Sequence, residues 1–258
     1  MTKAETTSPH AQATDAKKAV GDRLTGRTAV ITGASRGIGR AVARRFAAEG
    51  AQTILIARTV GALEELDDEI RGDGGLKATL VPLDLRDGEK LDALGPALFE
   101  RHGHLDILVG NAGMLGPLSP LGHIKPEIWE EVFQVNVHAN FRLLRTLDLL
   151  LRKSSAARAI FVTSGAAQSA KAYWGPYAAT KAALEAMVKS YAKEVDSFGL
   201  KINLLSPGPI RTNLRADAFP GENPLSLRAP EEITESFVEL AEVACQRNGE
   251  TIDLHSAS

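Results

Sequence analysis

Thr28-Ala29-Val30-Ile31-Thr32-Gly33-Ala34-Ser35-Arg36-Gly37-Ile38-Gly39 joins a short apolar run to a glycine-rich turn and the start of a helical pattern. β-Branched residues at 28, 30, 31 and 32 favour a strand. The helix that follows shows apolar spacing through Ile38, Val42 and Phe46. In a strand–turn–helix of this kind Gly33 permits the tight turn. Gly37 allows backbone to approach a pyrophosphate, and Gly39 lets the helix pack close to the strand. The helix N-terminus offers unpaired N–H groups and the positive end of its dipole to an anion. The spacing is GxxxGxG rather than the commoner GxGxxG, so the turn alone is weak evidence for a dinucleotide site.

Outward from this turn, apolar runs alternate with helical patterns. The sequence predicts strands over residues 28–32, 52–57, 78–85, 105–113, 158–164, 199–208 and 250–254. Thr59 is a candidate cap for the second helix, with Leu63, Leu66 and Ile70 as its stripe. A third helix runs through Leu91, Leu94 and Leu98, and Pro126 suits the first position of a long fourth one. Strands that alternate with helices imply an α/β fold: one Rossmann-type domain, a doubly wound parallel sheet of about seven strands with helices on both faces. The domain is expected over residues 23–258, after a polar tail at 1–22 that is either flexible or an arm on a partner subunit. Residues 209–230 read as a substrate lid, because a proline-rich connection of that length is unusual in a compact domain.

Composition narrows the function. The 258 residues carry 30 Lys plus Arg against 32 Asp plus Glu, a net charge of −2, which gives no strong attraction to nucleic acid or an anionic membrane. One cysteine, Cys245, excludes an internal disulfide, and the six histidines lack metal-ligand spacing, so no metal is expected. The N-terminus has no apolar signal segment and no later run suits a membrane span, which predicts a cytoplasmic protein.

Candidate chemistry lies in the second half. Tyr177 and Lys181 stand four apart, on one helix face. A nearby cation favours phenolate, so the pair could exchange protons with a substrate oxygen. Taken alone, such a pair is more often an ordinary surface pair. Ser164 ends the fifth strand, where active-site groups of open α/β sheets gather, although a turn residue is its plainer reading. Asn136 sits inside the fourth helix, where its amide needs partners. Asn111-Ala112-Gly113 ends the fourth strand.

In this order, TGxxxGxG, Asp84, NAG, Asn136, Ser164, YxxxK and Pro207-Gly208, the motifs resemble those of the short-chain dehydrogenase/reductase family over roughly residues 24–254. The segment from Asn111 to Pro230 is similar to a bacterial oxidoreductase subgroup. The resemblance implies hydride transfer between NADP(H) and a small carbonyl or alcohol. Tyr177 would be the general acid/base, Lys181 the ribose ligand, Ser164 the donor to the substrate oxygen, and Asn136 the holder of a relay water. It further implies that Gly33, Ser35, Arg36, Gly37, Ile38, Gly39, Asn111, Ala112 and Gly113 line the dinucleotide. Asp84 and Leu85 would edge the adenine, and Pro207, Gly208, Ile210 and Thr212 the nicotinamide. The family pairs its fourth and long later helices across a two-fold axis, so a homo-dimer or homo-tetramer is expected. The C-terminus, Ile252-Asp253-Leu254-His255-Ser256, departs from the family's glycine-rich tail.

NAD-binding relatives place an acid at the end of the second strand, whereas this chain has Ala57-Arg58. With Arg36 opposite, Arg58 predicts a preference for NADP(H). Met114, Leu115, Leu118, Tyr173, Trp174 and Phe219 are candidates for an apolar substrate pocket. Arg211 and Arg215 could meet an anionic substrate, a cofactor phosphate or a surface partner. Trp129 and Phe133 read as core or subunit contact, His123 and His138 as surface or interface groups, and Glu64–Asp73 as a solvated helix face. A dinucleotide-sensing regulator or scaffold on the same fold remains the alternative.

Overall fold

The structure is a computed structural model and describes residues 21–255. The tail expected over 1–22 therefore lies outside the described residues except for Gly21 and Asp22. Gly21 already donates its N–H to the Ala48 carbonyl at 2.6 Å.

The elements alternate as the apolar runs predict: β1 (Thr28–Thr32), α1 (Gly37–Ala48), β2 (Gln52–Ala57), α2 (Val60–Gly72), β3 (Thr79–Pro82), α3 (Gly88–His102) and β4 (Ile107–Gly110). Then come α4 (Pro126–Phe133), α5 (Ala139–Lys153), β5 (Arg158–Val162), α6 (Ala166–Ser169) and α7 (Gly175–Glu194). The last elements are β6 (Lys201–Ser206), α8 (Asn213–Ala218), α9 (Thr234–Ala241) and β7 (Thr251–Asp253). The seven strands form one sheet in the order β3-β2-β1-β4-β5-β6-β7, and every pairing is parallel. The order reverses between β1 and β4, and such a reversal opens a crevice at the carboxyl ends of the strands.

Period-two alternation feeds two cores. Ala29, Ile31, Leu55 and Val109 face the side covered by α1, α2 and α9. Val30, Ile54, Ile56 and Leu108 face the side covered by α3, α5 and α7. Burial on both faces is why the strands are nearly continuous in apolar residues.

Three local expectations need correction. Strands β3, β4 and β6 are shorter at their carboxyl ends than the apolar runs, because Leu83–Leu85, Asn111–Gly113 and Pro207–Gly208 curl out to line the crevice. Thr59 occupies the N-cap position of α2 but its hydroxyl makes no capping bond. The Glu64–Asp73 face is not uniformly solvated: Asp67 is buried, and its carboxylate accepts from the Ala78 N–H at 2.7 Å and from Arg71 at 3.1 Å.

Helices α3 and α5 pack closely because Gly95 has no side chain. Its N–H donates to the Thr146 hydroxyl at 3.1 Å, and a methyl group on Gly95 would overlap the Thr146 carbonyl oxygen. Gly95→Ala should therefore force the helices apart and cost about 1–3 kcal/mol, far from the crevice. Urea denaturation should show the loss, with turnover per folded molecule unchanged.

Candidate active site

At the crevice, the carboxyl ends of β1 and β4 are tied by a few hydrogen bonds. The Thr32 hydroxyl donates to the Val109 carbonyl at 3.3 Å and accepts the N–H of Asn111 at 3.0 Å and of Ala112 at 3.1 Å. The Asn111 amide donates to the Thr32 carbonyl at 2.9 Å. Asn111 thus shapes the floor rather than presenting its amide to a ligand. Above it, Gly33 and Gly37 have φ of 66° and 56°, the left-handed region that glycine adopts freely. A side chain on Gly39 would overlap the Gly33 carbonyl, so helix α1 begins hard against the turn. Its first turn carries no acidic residue.

Lys181, only 3% exposed, donates from Nζ to the Val162 carbonyl at the end of β5, at 2.7 Å. The ammonium lies 5.6 Å from the centre of the Tyr177 ring, one helical turn earlier. Burial pushes the ammonium down to about 8, and Glu185 on the next turn pulls it back up. Burial also pushes the Tyr177 phenol up, to about 12, while its hydrogen bond with Ser164 opposes the shift. The sequence reading has the cation lowering the phenol, but in this structure desolvation wins. Burial thus favours the protonated phenol and weakens the hold of Lys181 on its proton.

Asn136 is fully buried in a π-helical turn, Gln134–His138, between α4 and α5. Its Oδ1 accepts the Met114 N–H at 2.9 Å, and its Nδ2 donates to the Met114 carbonyl at 2.9 Å and to the Thr180 hydroxyl at 3.0 Å. The amide is thus spent on joining the β4 exit loop to α7. Any water held by Asn136 would have to use its main-chain carbonyl, which already accepts from Asn140 at 2.8 Å.

One cavity of about 710 Å3 joins these groups to the ends of β2 and β3 and to the segment after β6. At the β2 end, Arg36 and Arg58 are exposed. Asp84 is held below the usual carboxylate range by its hydrogen bond with Arg86, with a smaller contribution from Arg58. Gly208 has φ of 73°, and the preceding Pro207 carbonyl accepts from Arg228 at 2.9 Å. Ile210 is buried and forms a lone parallel bridge with Arg228. The Thr212 hydroxyl caps α8 by accepting the Arg215 N–H at 3.3 Å, and its methyl faces Gly37. Ser35, Ile38, Leu85 and Gly113 also line the cavity.

The opposite end is aromatic. Trp174 stands edge-on to Tyr177 at 6.0 Å and against Phe219 of the 209–230 segment at 5.7 Å. Met114 and Leu115 reach the cavity or its apolar cluster, whereas Leu118 and Tyr173 are exposed and do not line it. Arg215 forms two 2.6 Å bonds with Glu222 and lies 3.8 Å from the Phe219 ring, so it is engaged within the lid segment. Trp129 stacks with Phe133 at 5.0 Å, and His123 and His138 are exposed. Sequence reasoning missed Thr32, Thr180, Glu185 and Lys171. A hydroxyl at a strand end and an acid four residues beyond Lys181 were the only signals for the first and third.

Among the described residues no helix is long and apolar enough to cross a membrane, and no three His, Cys, Asp or Glu gather as a metal site would require.

Comparison with known proteins agrees with this geometry. The family model described as short chain dehydrogenase matches residues 27–223. An uncharacterized oxidoreductase, YciK of Escherichia coli K12, is 36% identical over 235 residues, covering 90% of this chain and 93% of that protein. A 3-oxoacyl-[acyl-carrier-protein] reductase, FabG of Vibrio cholerae, is 34% identical and covers 74% of this chain and 76% of its own length. A putative short chain dehydrogenase from Escherichia coli CFT073, crystallised with NADPH, superposes with a TM-score of 0.87 at 36% identity, over 90% of this chain and 98% of that one. With the sheet order, the glycine turn and the Tyr177–Lys181 pair already in place, these matches establish that the chain belongs to the short-chain dehydrogenase/reductase family of oxidoreductases.

Proposed function

We propose that the protein reduces a small carbonyl compound with NADPH, Tyr177 supplying the proton. The observation that carries this reading is the geometry: the buried Tyr177 phenol and the buried Lys181 ammonium, one helical turn apart, line the cavity at the carboxyl end of β5. A protonated phenol is the form that donates to a carbonyl oxygen. Burial favours that form, which suits the reductive direction.

The cavity has features that fit a dinucleotide. The glycine turn leaves room where side chains would intrude, and the N-terminus of α1 supports an anion without a competing acid. Arg36, Gly37 and Ile38 would hold the pyrophosphate side, Asp84 and Leu85 the adenine, and Lys181 the ribose next to the nicotinamide. Pro207, Gly208, Ile210 and Thr212 would border the nicotinamide ring. When bound, the cofactor supplies the hydride. Ser164, hydrogen-bonded to the phenol, would orient the substrate oxygen.

NADPH rather than NADH is favoured by the end of β2, where Ala57 replaces an acid and Arg58 follows it. Arg36 occupies the N-cap position of α1 in extended backbone, its side chain exposed and making no capping bond. The NADPH reported with the Escherichia coli relative supports the same choice. A homo-oligomer is supported by α5, which leaves Phe141 and Leu149 51% and 56% exposed on a helix that already covers the sheet with its other face.

The deciding experiment follows absorbance of the reduced nicotinamide across a panel of ketones and aldehydes. Tyr177→Phe should lower kcat by about 10²–10⁴ and leave NADPH binding, read by cofactor fluorescence, within a few-fold of wild type. Unchanged turnover would overturn the assignment. For the cofactor, kcat/KM with NADPH should exceed that with NADH by at least about tenfold, since one charge-assisted contact approaches a decade of affinity. Ala57→Asp/Arg58→Ala should move the ratio toward NADH. Sedimentation at micromolar concentration should give a dimer or tetramer, and Phe141→Glu/Leu149→Glu should weaken it.

A further inference from the structure

Lys171 lies in the loop that leads into α7, and it lines the cavity at its aromatic end. Its Nζ is 4.9 Å from the centre of the Phe219 ring and 5.6 Å from that of Trp174, while the two rings are 5.7 Å apart. These ring contacts are its interactions; among the described residues no carboxylate lies within ion-pair distance of it. Arg215 contacts the same Phe219 but is neutralised by the two bonds to Glu222. Arg211 also lines the cavity and is exposed, but Lys171 is the cation held over the aromatic faces of its substrate end, with no carboxylate at ion-pair distance among the described residues.

The loop holds this position under strain. Ala170 and Tyr173, one residue before and two after Lys171, have φ of 43° and 72°. Non-glycine residues in the left-handed region cost on the order of 1–3 kcal/mol and cluster at ligand clamps. The Tyr173 carbonyl accepts from the Ser119 N–H at 3.1 Å, which ties the loop to the β4 exit segment. Trp174 is the shared neighbour of the phenol, 6.0 Å away, and of the ammonium. A substrate carbonyl at Tyr177 would therefore have the Lys171 charge one aromatic ring away.

We infer that Lys171 is a specificity-determining residue that selects carbonyl substrates bearing an acid group, a carboxylate or a phosphate monoester, on the far side of a flat apolar spacer. The spacer would lie against Trp174 and Phe219, and the acid would pair with the Lys171 ammonium. This rests on the carbonyl-reductase reading above. Lys171 is exposed at the mouth of the cavity, and its charge attracts an anion but adds nothing for a neutral ester of the same shape.

The test compares 4-acetylbenzoate, its methyl ester and 4-acetylphenyl phosphate as substrates with NADPH. At least one acid should show a KM about three- to fivefold below that of the ester, the size of one exposed ion pair. Lys171→Met should erase that difference with kcat nearly unchanged, and Lys171→Arg should keep most of it. Binding is measured separately, so that the outcome does not depend on turnover. In a Trp129→Phe background, benzoate and phenyl phosphate are titrated against Trp174 fluorescence, with Lys171→Met as the control. If no carbonyl is reduced but an acid binds in a Lys171-dependent way, the reductase reading fails and the anion site stands. If ketones are reduced with acid and ester alike, and Lys171→Met changes neither KM nor binding, the anion site is overturned and the reductase reading stands.

Discussion

The Lys181 ammonium is a full positive charge taken almost wholly out of water, and much of the catalytic half of the molecule is arranged around keeping it there. Desolvating such a group costs several kcal/mol unless polar partners replace the water. One partner is the Val162 carbonyl at the end of β5, which exists as a free acceptor only because the strand stops there. Glu185, one turn along α7, adds attraction from beyond contact distance, and is itself fixed by the Thr163 hydroxyl at 2.9 Å and by Lys189 at 3.1 Å. Thr163 precedes Ser164, so the acid that steadies the lysine also anchors the backbone beside the serine that meets the phenol. The strand end, the helix face and three of the four catalytic candidates are thereby one mechanical unit.

The same charge explains the shape of the neighbouring backbone. Gly113 faces both Asn136 Oδ1 and Lys181 Nζ, and a Cβ there would lie 3.4 and 3.6 Å from them. Asn136 stays buried because a π turn widens the helix locally and aims its amide at Met114 and Thr180. A regular helix would carry the side chain elsewhere, since one extra residue per turn rotates everything that follows. The β4 exit loop is thus held to α7, and the cavity wall between dinucleotide and substrate does not depend on the strands alone.

The fold was legible because the sheet needs burial on both faces, and runs such as Ala29-Val30-Ile31 and Ile107-Leu108-Val109 announce that requirement. The strand ends were less legible, since the residues that curl away at Leu83–Leu85 and Pro207–Gly208 remain apolar for the sake of the cavity. The positions of Tyr177 and Lys181 followed from four-residue spacing. Their proton affinities did not, because spacing brings a cation near a phenol but says nothing of how much water either has lost. Arg215 and Glu222 could not be paired from sequence: they are seven apart, across a helix end and a turn, and no periodicity relates them. Lys171 was invisible for a similar reason, being one cation among small and aromatic loop residues until Phe219, far along the chain, is seen beside it.

The two ends of the cavity obey different physics, and this separates what the family supplies from what the chain adds. At the β1–α1 end, recognition comes from backbone: glycines, an unencumbered helix N-terminus and a carbonyl floor tied by Thr32 and Asn111. Such a site tolerates little substitution, because a side chain on Gly33 or Gly39 would press on neighbouring backbone. At the α7 end the wall is built from side chains on two connections, the strained loop before Gly175 and the segment after Pro209, which meet through Trp174, Phe219, Lys171, Leu214 and Ala218. Connections vary in length and chemistry without disturbing the sheet. Relatives that keep the first site can therefore diverge at the second, and identity of about a third across most of the chain is compatible with one cofactor and many substrates. The aromatic junction, where the phenol, the indole and the Lys171 ammonium are neighbours, is the part of the cavity built from such connections.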